Sequence, residues 1–534
     1  MRASWHGMLG VLLSCTLSGL DGSGGAWATD TIAANPDTAA RLAAELNAAP
    51  CQPFSTFSVP LRCQWQGQIS VSMVGDHYQA EVPEVVAFIG NGRQIALGTL
   101  RLDFRPGLNG ALDFALTLPS TLALAARDGA VETNVSLGSQ TIRGRWEPSA
   151  RSVTQLDAIA GDVRLTSPAD PYSIAIGSLA LTEALAETQP GRWDGQAALT
   201  LGSFAVQAAD GGELLHLGSA TFDGQVTGLD IALAIARRAQ SQAAVEPVAP
   251  NALPAKEAGE TSKKELVPVA RHYLARIHDL FDGASGGIHL TDLRVKVPMV
   301  DTSITLGKFD YRTAVNGLEH GKSTLTVTYD HGPLLVTPAP ALQDFLPKGA
   351  RLALTASGLP NDDLWQALDR VLQPNGPGGG DRVIKALIAE ADAVLTKAGV
   401  HLALETLSID THATTLNLTG QARYEAAATM GMVGHFDMII RGFDAALKAL
   451  QPAPGTITLS DESKNILSAL TMLQVMGLPA KDDAGRDVRT YTVDVAETGG
   501  VMLNGADITI LVQSLRDRLG LHSKPTVGAA GQGG

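Results

Sequence analysis

Along much of the chain, apolar and polar residues alternate with a period of two. Ile69, Val71 and Met73 interleave with Gln68, Ser70 and Ser72, and Leu112, Phe114, Leu116 and Leu118 with Asp113, Ala115 and Thr117. Leu325, Val327 and Tyr329 interleave with Thr324, Thr326 and Thr328. The same alternation marks Leu352 and Leu354, Leu402 and Leu404, Leu416 and Leu418, and Tyr491, Val493 and Val495. Strands of this kind bury one face and show polar atoms on the other, as antiparallel sheets do. A parallel, doubly wound sheet needs near-continuous apolar strands alternating with helices, and the first half of the chain lacks those helices.

A second pattern recurs: an apolar residue, Gly, any residue, apolar, any, apolar. It occurs at Leu97 to Leu102, Ile176 to Leu181, Leu201 to Val206, Leu217 to Phe222 and Leu306 to Tyr311. Leu404 to Ile409 keeps the spacing without the glycine. Gly inside a strand marks a bulge or bend. In a chain with 56 Gly, chance recurrence stands as one reading, and a repeated strand unit in a curved sheet as the other.

Helical spacing appears mainly in the second half. Ala270, Tyr273, Leu274, Ile277, Leu280 and Phe281 predict one helix, ended by Gly283. Asn361 can cap a second, carrying Leu364, Trp365, Leu368 and Leu372. Asp381 opens a third through Leu395 to Gly399, and Asp461 a fourth through Leu473 and Met476 to Gly477. Each has one apolar stripe, suited to packing on a sheet. The predicted fold class is therefore α+β and mainly β: a long curved antiparallel sheet with helices on its apolar face, mostly in the second half.

The length exceeds that of one typical domain. Residues 240–265, with Pro247, Pro250, Pro254 and a mixed Lys/Glu run, read as a flexible linker between a β-rich region at 29–239 and a sheet-plus-helix region at 266–520. Pro374 to Gly380 reads as a hinge, and residues 521–534 as a disordered tail. Arg2, the apolar run Met8 to Leu20 and Ala26-Trp27-Ala28 form an export signal, with cleavage expected between Ala28 and Thr29. The run is short of the ~20 apolar residues of a membrane span. Leu12-Leu13-Ser14-Cys15 loosely matches a lipidation motif, the alternative to a discarded signal. Export leaves Cys51 and Cys63, and an even cysteine count in an exported chain points to a disulfide between them. Free thiols are the competing reading.

Charge removes one class of partner. Lys and Arg total 40 against 54 Asp and Glu, a net charge of −14, which repels nucleic acid. Aromatic residues are 5% of the chain, too few to build stacking platforms. Chemistry is sparse as well. Gly283-Ala-Ser285-Gly-Gly287 matches the nucleophile-elbow pattern, but its helix-then-strand setting is the reverse of the required order, so it reads as a turn. Gly376 to Gly380 lacks the Lys and preceding strand of a phosphate loop. His272 and His278 do not share a helical face, while His401, His412 and His435 fall on or beside separate strands. Asp362-Asp363 and Asp482-Asp483 read as a helix start and a turn. No catalytic, metal or cofactor residues are predicted, and no enzyme is expected.

Three stretches carry a resemblance. Gly349 to Pro360 runs into the helix of Leu364 and Trp365, and Gly434 to Phe443 runs into Ala445 to Leu450. Tyr491 to Val495 is followed by Gly499-Gly500 and Val501 to Gly505. This succession resembles a family of bacterial envelope proteins with a domain of unknown function. More loosely it is similar to AsmA-like proteins. It spans roughly residues 60 to 515 and is clearest beyond 345. The resemblance implies a periplasmic location, an elongated antiparallel sheet with helices on its apolar side, and a role in lipid handling. It supplies no catalytic residues. Two readings stay open: a non-enzymatic protein holding lipid in an apolar groove, and an envelope scaffold or protein-interaction module whose sheet is fully covered.

Overall fold

The computed structural model of the chain describes residues 34–48, 62–89, 93–126, 130–147, 150, 152–234, 236, 280–340, 343–371, 380–425, 428, 431–450, 461–510 and 512. The expected signal segment with Ala28 and Thr29, the 240–265 linker, most of the 270–283 helix and the 521–534 tail lie outside the described residues. So does Cys51. Cys63 sits in a short strand, Arg62–Gln64, but its side chain is not described.

The protein is mainly β, and every strand pairing among the described residues is antiparallel. In chain order, helix α1 (Pro36–Ala48) precedes β1 (Arg62–Gln64), β2 (Ser70–Val74), β3 (His77–Ile89), β4 (Arg93–Pro106), β5 (Leu112–Thr117), β6 (Thr121–Ala125) and β7 (Val131–Ser136). Next come β8 (Ser139–Glu147), β9 (Ser152–Thr166), β10 (Tyr172–Gln189), β11 (Arg192–Ala208), β12 (Glu213–Asp230), β13 (Gly283–Val297) and β14 (Thr302–Asn316). Then follow β15 (Lys322–His331), β16 (Leu334–Thr337), β17 (Gly349–Pro360), α2 (Asn361–Val371), α3 (Gly380–Ala398), β18 (His401–Asp410), β19 (Thr415–Tyr424) and β20 (Met432–Arg441). The chain ends with α4 (Phe443–Ala449), α5 (Asp461–Met476), β21 (Leu478–Lys481), β22 (Asp487–Val495), β23 (Val501–Leu503) and β24 (Ala506–Asp507).

Two compact units result. The first takes residues 1–261, 269–319 and 333–339, and the second takes 262–268, 320–332 and 340–534. The boundary therefore falls at Glu319–His320 and not at the 240–265 segment. The reason is register: β13 pairs with β12 over Leu215↔Val295 to Thr227↔Gly283, so it extends the first unit's ladder.

Within the first unit the ladder starts at β1 and β2, both on β3, and passes through β4 to two parallel tracks. One track is β5 and β8, the other β6 and β7, and both end on β9. From there β9 to β14 run in sequence, with β16 on β14. Helix α1 starts with Asn35 accepting the Thr38 N–H and Pro36 at the first helical position, a favoured entry. It buries Ala39 and Leu42 against Tyr78, Leu102, Phe104 and Phe114. Asn47 bonds both backbone groups of Ile69 and fixes the helix end to the sheet.

The recurrent glycine pattern has a structural cause. Asp162, Gly177, Ser203, Gly218, Asp292 and Gly307 face one another across β9 to β14, each skipped by the regular pairing on both sides. Asp162, Ser203 and Asp292 have a left-handed backbone, with φ of 52°. A left-handed residue interrupts the period-two alternation; within the pattern it is Gly98 in Leu97 to Leu102 and Ser203 in Leu201 to Val206, whereas Gly177, Gly218 and Gly307 do not take this backbone. The glycines of the row alternate with its left-handed residues for lack of space. A Cβ on Gly177 would stand 3.1 Å from Ser203 Cβ, and one on Gly218 3.1 Å from Asp292 Cβ. The sheet bends along this row.

The second unit runs β15–β17–β18–β19–β20–β22, with β21 and β23 on β22 and β24 on β23. Helix α5 lays Leu470, Leu473 and Met476 against Ile440, Phe443 and Tyr491. The Tyr491 hydroxyl donates to the Leu473 carbonyl at 2.7 Å, and burial pushes that phenol up to about 12. Helices α2 and α3 pack together and against β17, with α3 also reaching β19.

Candidate functional site

Register aligns apolar residues into rows across the first unit's sheet. One row is Ala80, Leu102, Leu116, Ile142, Ala158, Leu181, Leu199, Phe222, Ile288 and Tyr311, one residue from each of ten successive strands. Beyond the bend, Val163, Ile176, Phe204, Leu217, Leu293, Leu306 and Leu334 form another, and Leu165, Ile174, Val206, Leu215, Val295, Ile304 and Val336 a third. Rows on both sides of the bend share one core cluster, containing Val163, Ile176, Leu201, Ala220, Phe222 and Leu290.

Burial varies along these rows, and Leu116, Ile142, Ala158 and Leu181 of the first are half-buried. Ala80, Leu102 and Leu199 are buried, whereas Phe222, Ile288 and Tyr311 are half-buried. Ile304, one strand in from the end of the third row, is exposed. One end of the β10–β12 strands is closed by Leu185, Trp193, Val226, Leu229, Ile231 and Leu280. At the opposite ends Val297 and Val300 are exposed. Among the described residues, the core cluster that spans β9 to β13 contains no helix residue.

The other face is polar. Thr200 and Thr221 approach each other at 3.3 Å, and Ser219 and Thr291 at 2.7 Å. Next to them lies a charged cluster missed by sequence reasoning. His289 Nε2 is 2.7 Å from Asp223 Oδ1, and His289 Nδ1 is 2.7 Å from Asp310 Oδ1. Arg312 Nη2 donates to Asp223 Oδ2 at 3.0 Å, and Lys308 pairs with Asp310. Burial works to raise the Asp310 carboxyl, but hydrogen bonds from Lys308 and His289 outweigh it and hold it below the usual range. Both ring nitrogens of His289 are occupied by carboxylates, which leaves neither for a nucleophile or a metal ion. Among the described residues no group of three or more His, Cys, Asp and Glu could hold a metal.

Gly283 to Gly287 corrects the turn reading. These residues lie inside β13, paired with Asn316 to Arg312 on one side and with Thr227 to Asp223 on the other. Its glycines answer to crowding: a Cβ on Gly287 would stand 2.4 Å from Asp223 Oδ1 and 2.8 Å from His289 Nε2. The signal was present as two adjacent glycines in an otherwise alternating strand.

The remaining expected positions are scattered. His401 pairs with Arg423 and Ser357 on exposed backbone, and His412 lies in a loop. His435 meets Asp494 at 2.7 Å and Asp437 at 3.3 Å. Asp362 and Asp363 start α2, and Asp482 accepts the Ala484 and Arg486 N–H groups in a turn, both as expected. His272, His278 and the 372–379 glycine stretch lie outside the described residues.

No known protein family, curated protein or solved structure matches the chain. No helix of the described residues is long and apolar enough to cross a membrane.

Proposed function

We propose that the protein is a non-enzymatic component of the bacterial envelope, exported to the periplasm, that holds the acyl part of a lipid against the apolar face of its first unit. The observation that carries this reading is the row Phe222–Ile288–Tyr311 with its neighbours Leu290, Leu293 and Phe309: aliphatic and aromatic, half-buried, and adjoining a core cluster that among the described residues contains no helix residue. Apolar surface left contiguous and open is where apolar ligands bind. The resemblance to AsmA-like envelope proteins supports the same reading. In the second unit, α5 over Ile440 and Tyr491 favours the scaffold or protein-interaction role for that part of the chain.

The test is native mass spectrometry of the exported chain with organic extraction. A phospholipid or fatty acid at near one-to-one stoichiometry is the expected result. A clean apo mass, unchanged after incubation with phospholipid vesicles, sinks the proposal.

A further inference from the structure

The two glycines at the end of the Gly-x-Ser-x-Gly match are left over from the lipid reading, and Gly287 leads to the charged cluster. Asp223 on β12 and Arg312 on β14 both stand opposite Gly287, one on each side. Strands two apart in a sheet are ~10 Å distant, so their side chains meet only by crossing over the strand between them. They do so at 3.0 Å, above a residue with no side chain. His289, two residues along on the same face, reaches back to the same Asp223 and across to Asp310.

We propose that Asp223, His289 and Asp310 form a proton-dependent clasp across β12, β13 and β14, closed while both ring nitrogens carry hydrogen and loosened when one is lost. The two states of the ring differ in their number of donors. A ring with two N–H groups satisfies both carboxylates, each 2.7 Å away. A ring with one leaves a lone pair facing a carboxylate at that distance, and an unmade bond to a buried polar group is costly. Asp223 is the vulnerable partner, because its side chain is only 6% exposed. The charged groups facing the ring are Asp223 from β12 and Lys308, Asp310 and Arg312 from β14, while its own strand offers Gly287 and Thr291. The clasp does not depend on the lipid reading.

Hydrogen–deuterium exchange of the full chain, followed by mass spectrometry from pH 5 to pH 9 and corrected for intrinsic rates, reads the clasp directly. In the parent protein, protection of peptides within 283–297 falls about tenfold between pH 5 and pH 9, while peptides from β9 stay level. Gly287→Ala keeps every charge and inserts a methyl between Asp223 and His289, so it gives the low protection at every pH. His289→Gln, whose amide group keeps the same donors at every pH, gives a flat profile. Level protection of 283–297 in the parent, or an unchanged profile in Gly287→Ala, overturns the proposal. Should Gly287→Ala fail to fold by circular dichroism, the parent and His289→Gln decide between the same two outcomes.

Discussion

A second histidine stands between carboxylates, and unlike His289 it is open to solvent. His435 on β20 faces Asp494 on β22, its register partner, and Asp437 two residues along its own strand. The hydrogen bond to Asp494 raises the imidazole above its ordinary value, and the Asp437 charge adds to this. A raised folded value means that the ring stabilises the protein fully below the ordinary histidine value of ~6.5 and ceases to do so as pH rises through the higher folded value. His435→Gln should therefore lower the urea midpoint at pH 5.5 and leave it unchanged at pH 9. An equal loss at both values would mean that the ring only packs. The sequence placed His435 on a strand but gave no partner, because Asp494 is 59 residues away. The same limit hid the His289 cluster, whose Asp223 lies 66 residues before it. Pairing across strands depends on register, and alternation alone does not set register between distant strands.

At the level of elements, alternation located β2, β5, β15, β17, β18, β19 and β22, and capping residues located the ends of α2, α3 and α5. The recurrent glycine pattern held more information than a bulge. Its glycines mark a row across β9 to β14 in which a left-handed residue on every second strand faces a glycine on the next. Half of the row was illegible because its left-handed residues, Asp162, Ser203 and Asp292, are not glycine. The two kinds of position should respond oppositely to substitution. Gly218→Ala forces a Cβ to 3.1 Å from Asp292 Cβ and 3.3 Å from the Thr291 carbonyl. It should destabilise the first unit by about 1–3 kcal/mol. Ser203→Gly relieves a left-handed backbone that costs a non-glycine residue about 1 kcal/mol, so it should be neutral or stabilising. Thermal unfolding of both variants checks the contrast, and equal destabilisation would refute the bend row as described.

For the whole molecule, what matters is how much of the apolar sheet is covered. The sequence predicted one-faced strands and helices to pack on them, but covering is a property of the assembled fold. Helix α1 covers the start of the first unit's sheet, and on β12 to β14 the row Phe222, Ile288 and Tyr311 is half-buried. The difference in burial between positions of one row separates stability from binding. Leu199 and Ile288 belong to the same row, two strands apart, yet only Leu199 is fully buried. A carboxylate at Leu199 would be desolvated without a partner, at a cost of at least several kcal/mol, and Leu199→Asp should unfold the first unit. At half-buried Ile288 the charge keeps access to water, so Ile288→Asp should cost only about 1–2 kcal/mol and preserve the circular dichroism spectrum. It would nevertheless place a charge where an acyl chain must lie, and bound lipid should disappear from the native mass spectrum. A folded Ile288→Asp protein that retains the parent's lipid occupancy would place the ligand elsewhere and remove this face as the site.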